Sequence, residues 1–164
     1  MRNPHPRTSR RTQFSALSTA YDRFNEELMK FSDPLTISLA QSWNTAKAQY
    51  STMLDDPGSK VTRSMIASGM KQGLREIPMM LRGLPPEVQQ LLRPAFRRIV
   101  QEEVPGFFAH ERDRTARIVK RGRLRNEDEW YIVRHRVDEI ERDNSRRQEL
   151  AALLELLEQY EGSG

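Results

Sequence analysis

Residues 114 to 141, RTARIVKRGRLRNEDEWYIVRHRVDEIE, set arginines at 114, 117, 121, 123 and 125 directly ahead of the acidic run Glu127, Asp128 and Glu129. Guanidinium groups are planar forks that pair with phosphate or carboxylate, so a row of them is a candidate anion surface. Taking about 100° per residue from Phe107, Arg114, Arg117 and Arg121 fall within an arc of about 60°. The apolar Phe107, Phe108, Ile118 and Val119 occupy a separate arc of about 120°. On this reading Arg114, Arg117, Arg121, Arg123 and Arg125 form a surface for an anion or a partner.

The same switch of sign is also what a helix end followed by a helix start produces. Gly122 suits the position just past a helix, and bases in the last turn complement the helix dipole. Asn126, with Glu129 three positions on, is a capping box in which Asn replaces Ser or Thr, and three acids suit the first turn. Helix ends explain where the switch lies but not its size: residues 112 to 125 hold seven bases against Asp113 alone.

Other chemistry has little to draw on. Cysteine is absent, which removes disulfides, thiolate metal sites and cysteine nucleophiles. His5, His110 and His135 are far apart, HERDR after His110 lacks the second histidine of a zinc helix, and no Glu-x-x-His pair of the di-iron type occurs. His135 with Asp138 and Glu139 reads as a solvated histidine–carboxylate set. Neither G-x-G-x-x-G nor a P-loop is present, nor a serine nucleophile elbow. No catalytic, metal or cofactor-binding residue and no cofactor is assigned, and the reading is non-enzymatic. A conserved buried pocket holding His110 or His135 beside a carboxylate would reopen the question of catalysis.

The elements that must carry these residues are helices. Phe14, Leu17, Tyr21, Phe24, Leu28 and Phe31 recur at steps of three and four, as do Leu39, Trp43, Ala46, Tyr50 and Met53 after SDP, which predicts an antiparallel helical hairpin. Asp56 or Ser59 is expected to cap a third helix over residues 60 to 82, with Met65, Ile66, Met70, Leu74, Ile77 and Leu81 inward and Pro78 kinking it or ending it early. Four of the seven methionines lie between 65 and 80, as core filling or as an adaptable groove. A fourth helix follows RGLPP, with Val88, Leu91, Leu92, Phe96, Ile99 and Val100 inward and a bend near Gln90 caused by Pro94. Its Gln90, Arg93, Arg97 and Gln101 make a polar stripe of the residue types that read base edges.

Trp130, Val133, Val137 and Ile140 make a narrow stripe on the helix after Asn126, leaving Tyr131 and Ile132 outside it. Ser145 with Gln148 predicts a second capping box ahead of ELAALLELLEQY. In that last helix Leu150, Leu153, Leu154, Leu156, Leu157 and Tyr160 span about 160°, wider than one partner helix can cover. Either two neighbours of the same chain flank it or it meets another chain, which makes Leu150, Leu153, Leu156, Leu157 and Tyr160 a candidate oligomer interface.

No segment alternates as a strand does. The fold expected is therefore all-α: a disordered basic arm at 1–11, an N-terminal helical bundle of about four helices at 12–104, an arginine-rich connecting helix at 105–125 and a C-terminal helical hairpin at 126–161, in one continuous core or two. Four of the 27 basic residues, Arg2, Arg7, Arg10 and Arg11, sit in the arm without an acid; the remaining 23 balance the 23 acids. The +4 net charge is thus located in the arm rather than spread over the fold. No apolar run reaches the ~18 residues of a membrane span and no apolar stretch follows the basic N-terminus, so no secretory signal is expected and the location expected is cytoplasmic.

The leading reading is a small intracellular adaptor or regulator that binds a protein partner and self-associates as a homo-oligomer. The alternative is a nucleic-acid-associated protein contacting phosphates through Arg7, Arg10, Arg11 and the arginines from 114 to 125.

Overall fold

A computed structural model describes residues 12–163. Within them are seven α-helices and no strands. They are α1 Gln13–Leu28, α2 Pro34–Asp55, α3 Arg63–Met80, α4 Pro86–Glu103, α5 Phe107–Arg121, α6 Glu127–Ile140 and α7 Arg147–Gly162. No helix is long and apolar enough to cross a membrane. The arm at 1–11 lies outside the described residues.

Capping residues set most of the helix starts. The Thr12 hydroxyl accepts from the Ser15 amide at 3.2 Å, the Asp33 carboxylate from the Leu35 amide at 2.9 Å, and the Asn126 side chain from the Glu129 amide at 2.9 Å. Two expected caps differ. Asp56 and Ser59 instead accept from Gly58 and Val61 inside the connecting turn, which leaves Thr62 to cap α3. At the other end, Asp143 takes the amide and hydroxyl of Ser145 and nucleates a 3-10 turn over Asn144–Arg146, so the Ser145–Gln148 box does not form.

Both internal prolines are tolerated. α3 runs two residues past Pro78 and then tightens into a 3-10 turn at Leu81–Gly83, while α4 continues through Pro94. Gly106 and Gly122, both at φ 86°, bracket α5 in the left-handed region that disfavours a Cβ. The Gly122 amide closes α5 on the Ile118 carbonyl at 3.0 Å.

Apolar burial divides into two clusters. The first gathers Leu17, Phe24, Met70, Leu74, Leu92 and Ile99 around α1, which packs on α2, α3 and α4, and it ends with Phe107 and Phe108. The second gathers Ile118, Ile132, Val133, Val137, Leu153 and Leu157 from α5, α6 and α7. α5 therefore belongs to both, and α6 also packs on α3.

Several inward assignments change. Met53, Met65 and Leu91 are exposed, and Val119 lies at the surface. Ile132, read from the sequence as outside the apolar stripe, is 2% exposed. The single-stripe reading fails because α6 has neighbours on several sides, namely α3, α5 and α7.

Candidate functional site

The change of sign between α5 and α6 folds back on itself. Arg114 reaches Asp128 at 3.0 Å, and Arg121 pairs with the buried Glu129 while also donating to the Arg123 carbonyl. Glu129 accepts in addition from the Arg125 amide at 2.9 Å. Two of the five arginines nominated from the sequence are thus held by acids of the next helix. Arg117, Arg123 and Arg125 remain exposed, and with Arg112 and Lys120 they have no carboxylate partner among the described residues.

α6 is the hub of a charged seam between the two apolar clusters. Asp128 also takes Arg75 of α3 at 2.9 Å, and Arg75 pairs with Glu111 at 3.0 Å. Asp138 pairs with Arg82 of the 3-10 turn, Glu139 with Arg97 of α4 at 3.2 Å, and Arg136 with Glu149 of α7 at 2.7 Å. Sequence reading missed Arg75 and Arg82, because only the tertiary fold brings them to α6.

The polar stripe of α4 is divided as a result. Arg97 is spent on Glu139 and Arg93 donates to Gln89 and to the Pro78 carbonyl, whereas Gln90 and Gln101 are exposed.

His135 is not solvated as expected. Its side chain is 16% exposed, its Nε2 lies 3.1 Å from Glu139 Oε1, and its ring meets Phe108 edge-on at 5.6 Å. Burial pushes Glu139 upward, but hydrogen bonding from His135 and Arg136 and the nearby Arg97 outweigh it and hold the carboxyl at about 2. Its neighbour Asp138 is raised by burial, only partly offset by Arg82, Arg134 and Arg93. His135 therefore sits beside a carboxylate, but on a cavity open to solvent rather than in a buried pocket, and that carboxylate is already paired with Arg97 and Arg136; His110 is exposed. No cluster of three or more His, Asp or Glu among the described residues is placed to hold a metal ion.

α7 is wedged between α5 and α6. Leu153, Leu156 and Leu157 are buried in the second cluster, Leu150 packs against it, Tyr160 is half-buried, and Leu154 alone of the leucines from 150 to 157 is largely open, at 43%. Two neighbours of the same chain cover most of the wide face.

A second surface escaped the sequence reading. α2 packs on α1, and beyond Trp43 none of its residues is buried. Between α2 and α3 lies a groove of about 260 Å³ with Tyr21, Trp43, Tyr50, Met70 and Met80 among its walls. Tyr21 and Trp43 stack with ring centroids 4.6 Å apart, and the Trp43 indole donates to Asp22 at 2.9 Å. The Tyr21 hydroxyl crosses to the Met70 carbonyl at 2.7 Å, passing where a Cβ on Gly73 would lie 2.3 Å from it. Burial, with Tyr50 and Glu76 nearby, raises this phenol well above its ordinary range. Of the methionine run, Met70 fills the core, Met80 is exposed on the groove wall, and Met65 is exposed outside the groove.

No protein-family model, curated protein or solved structure matches the chain.

Proposed function

We propose that the protein is a non-catalytic helical interaction module whose α1–α3 groove takes an apolar helical segment of a partner protein. The observation that carries this is the neutrality of the groove's outer wall. In a chain with 30% charged residues, α2 has only Lys47 and Asp55 among its 22, although 14 of them are exposed. Interface centres are depleted in charge and enriched in aromatic residues and methionine, and α2 with its groove has that composition. An apolar helix lying in a groove needs close approach at one wall, and Gly69 provides it, since a Cβ there would meet nothing within 4 Å. Self-association through α7 is not part of this proposal, because all of its leucines but Leu154 pack against their own chain.

Site-specific photocrosslinkers at Gly69 and Met80, with Lys120 as a control, test the reading in cells expressing the full chain. One discrete adduct at the groove positions, missing at Lys120, is expected. The purified partner should then lose at least tenfold in affinity to Gly69→Trp, which fills the groove from an open position. Equal labelling at all three sites, or unaltered binding by the Gly69→Trp protein, rejects it.

The exposed cations Arg112, Arg117, Lys120, Arg123 and Arg125 support a second reading, contact with nucleic-acid phosphates. Binding to short mixed-sequence DNA or RNA that weakens steeply with added salt, and weakens further in Arg117→Glu, is its expected signature. Absence of binding at low salt removes it.

A further inference from the structure

A shallow cleft of about 400 Å³ opens where the start of α6, the end of α7 and the last turn of α3 come together. Met79 lines it from α3, Glu127, Trp130 and Tyr131 from α6, and Tyr160 and Glu161 from α7. In a chain with 27 basic residues, no lysine or arginine among the described residues lines this cleft. Its walls are three aromatic rings and a thioether, and its rim is two carboxylates.

Helical spacing builds the first wall. Trp130 and Tyr131 lie three and four positions after Glu127, so the three share one face of the first turns of α6. The two rings meet edge to face, with centroids 5.0 Å apart and planes at 88°, and so form a corner. α7 closes it: the Trp130 indole donates to Glu161 Oε1 at 3.1 Å, and Tyr160 beside Glu161 brings the third ring. Core packing accounts for only part of this. Trp130 packs against the second apolar cluster, but Tyr131 and Tyr160, both half-buried, are in neither cluster. Glu127 and Glu161 are exposed and have no ion-pair partner among the described residues. Burial first, then the nearby Glu76 and Glu127, raise the Tyr131 phenol above its ordinary value, so no cation offsets the carboxylates there.

Aromatic faces are negative by their quadrupole and the carboxylates add the same sign, so the complement of this cleft is a cation. What the walls lack decides which one. A primary ammonium is a strongly hydrated point charge, and ring faces give it no acceptors in exchange for that water. A quaternary ammonium has no N–H to satisfy and presents methyl groups to the rings. We infer that this cleft binds a quaternary ammonium group, its methyls against Trp130, Tyr131 and Tyr160 and its charge balanced by Glu127 and Glu161. Two sources present that group: a free choline-like molecule and a trimethylated lysine side chain of a peptide. The site is separate from the α1–α3 groove and independent of the function proposed for it.

The chain has two tryptophans, Trp43 in the α1–α3 groove and Trp130 here, so the two indole N–H signals of the ¹⁵N-labelled full chain report the two sites separately. Choline, titrated at constant ionic strength, is expected to shift the Trp130 signal saturably, with a midpoint below roughly 10 mM, and to leave Trp43 in place. Its neutral isostere 3,3-dimethylbutan-1-ol should bind about tenfold more weakly, and ethanolamine should also bind more weakly than choline. Tyr160→Phe should keep the affinity for choline, whereas Tyr160→Leu should lower it about fivefold, because the ring face and not the hydroxyl makes the contact. A trimethyllysine peptide identifies the source: binding tighter than choline's assigns a peptide side chain, and binding no tighter assigns a free molecule. No saturable Trp130 shift with choline or the peptide, equal affinity for the neutral isostere, or tighter binding of ethanolamine overturns the inference. These comparisons use the unsubstituted protein and hold whether or not the Tyr160 variants fold.

Discussion

α2 and α6 invert the usual relation between charge and surface. α2 has two ionised side chains among its 22 residues and 14 exposed positions; α6 has seven among its 14, and only Glu127 is exposed. Position in the fold decides this. α6 is surrounded, and its acids and arginines meet opposite charges on α3, α4, α5, α7 and the 3-10 turn. α2 rests on α1 and turns a neutral face outward. Covered charges survive where each has a partner, and the uncovered neutral face of α2 is the feature on which the proposed partner contact rests.

The largest test of the contrast is truncation on the two helices. Ile132→Ala on α6 should cost about 2–5 kcal/mol, since its side chain is buried on all sides, whereas Ile37→Ala on α2, 45% exposed, should stay within about 0.5 kcal/mol in urea denaturation. Similar losses at the two sites would erase the distinction between a central and a peripheral helix.

Ion pairs provide the next test. Glu139→Gln removes the negative charge shared by Arg97, His135 and Arg136, with an expected cost of about 2–3 kcal/mol, while Lys47→Met, which breaks the exposed pair to Asp22, should cost about 0–1 kcal/mol. Acid titration sharpens this. Glu139 is held at about 2 against an ordinary 4.5, so its contribution is present above pH 4.5 and is lost as pH falls towards 2. Asp138 is raised, so its contribution is full below its ordinary 3.8 and is lost as pH rises through the folded value. Denaturation midpoints across a pH series should show a flatter acid limb in Glu139→Gln and a steeper one in Asp138→Asn.

The smallest pair of effects lies along α3, on the groove itself. Gly69→Ala should stabilise by up to about 1 kcal/mol, since a Cβ there is unopposed and glycine is a poor helix former. Gly73→Ala should destabilise by about 1–2 kcal/mol, because the new methyl displaces the Tyr21 hydroxyl from the Met70 carbonyl. Thermal melts that move both variants in one direction would show that Tyr21 does not depend on the missing side chain.

Local signals carried the helices and several of their ends. Thr-x-x-Ser at α1 went unnoticed, but Asn126 with Glu129, and Gly122, were read from sequence alone because capping depends on neighbours within four residues. The arginine row at 114 to 125 was legible as composition and illegible as arrangement. Arg114 and Arg121 differ from Arg117 only in which of them face α6, and that depends on how two helices cross. The buried seam was hidden for the same reason: Arg75 and Asp128 are 53 positions apart. Met65 and Leu91 misled in the opposite sense, as periodic apolar residues that the packing leaves in water.

α5 has Phe107 and Phe108 in one apolar cluster and Ile118 in the other, so its 15 residues act as a single rod of about 22 Å that both halves grip. Tilting such a rod by 10° about one end carries the other through about 4 Å, more than the length of any hydrogen bond in the seam. Of the ionic contacts around α6, those of Arg114 and Arg121 come from α5, so the charged seam fixes the angle of this rod at the end opposite its phenylalanines.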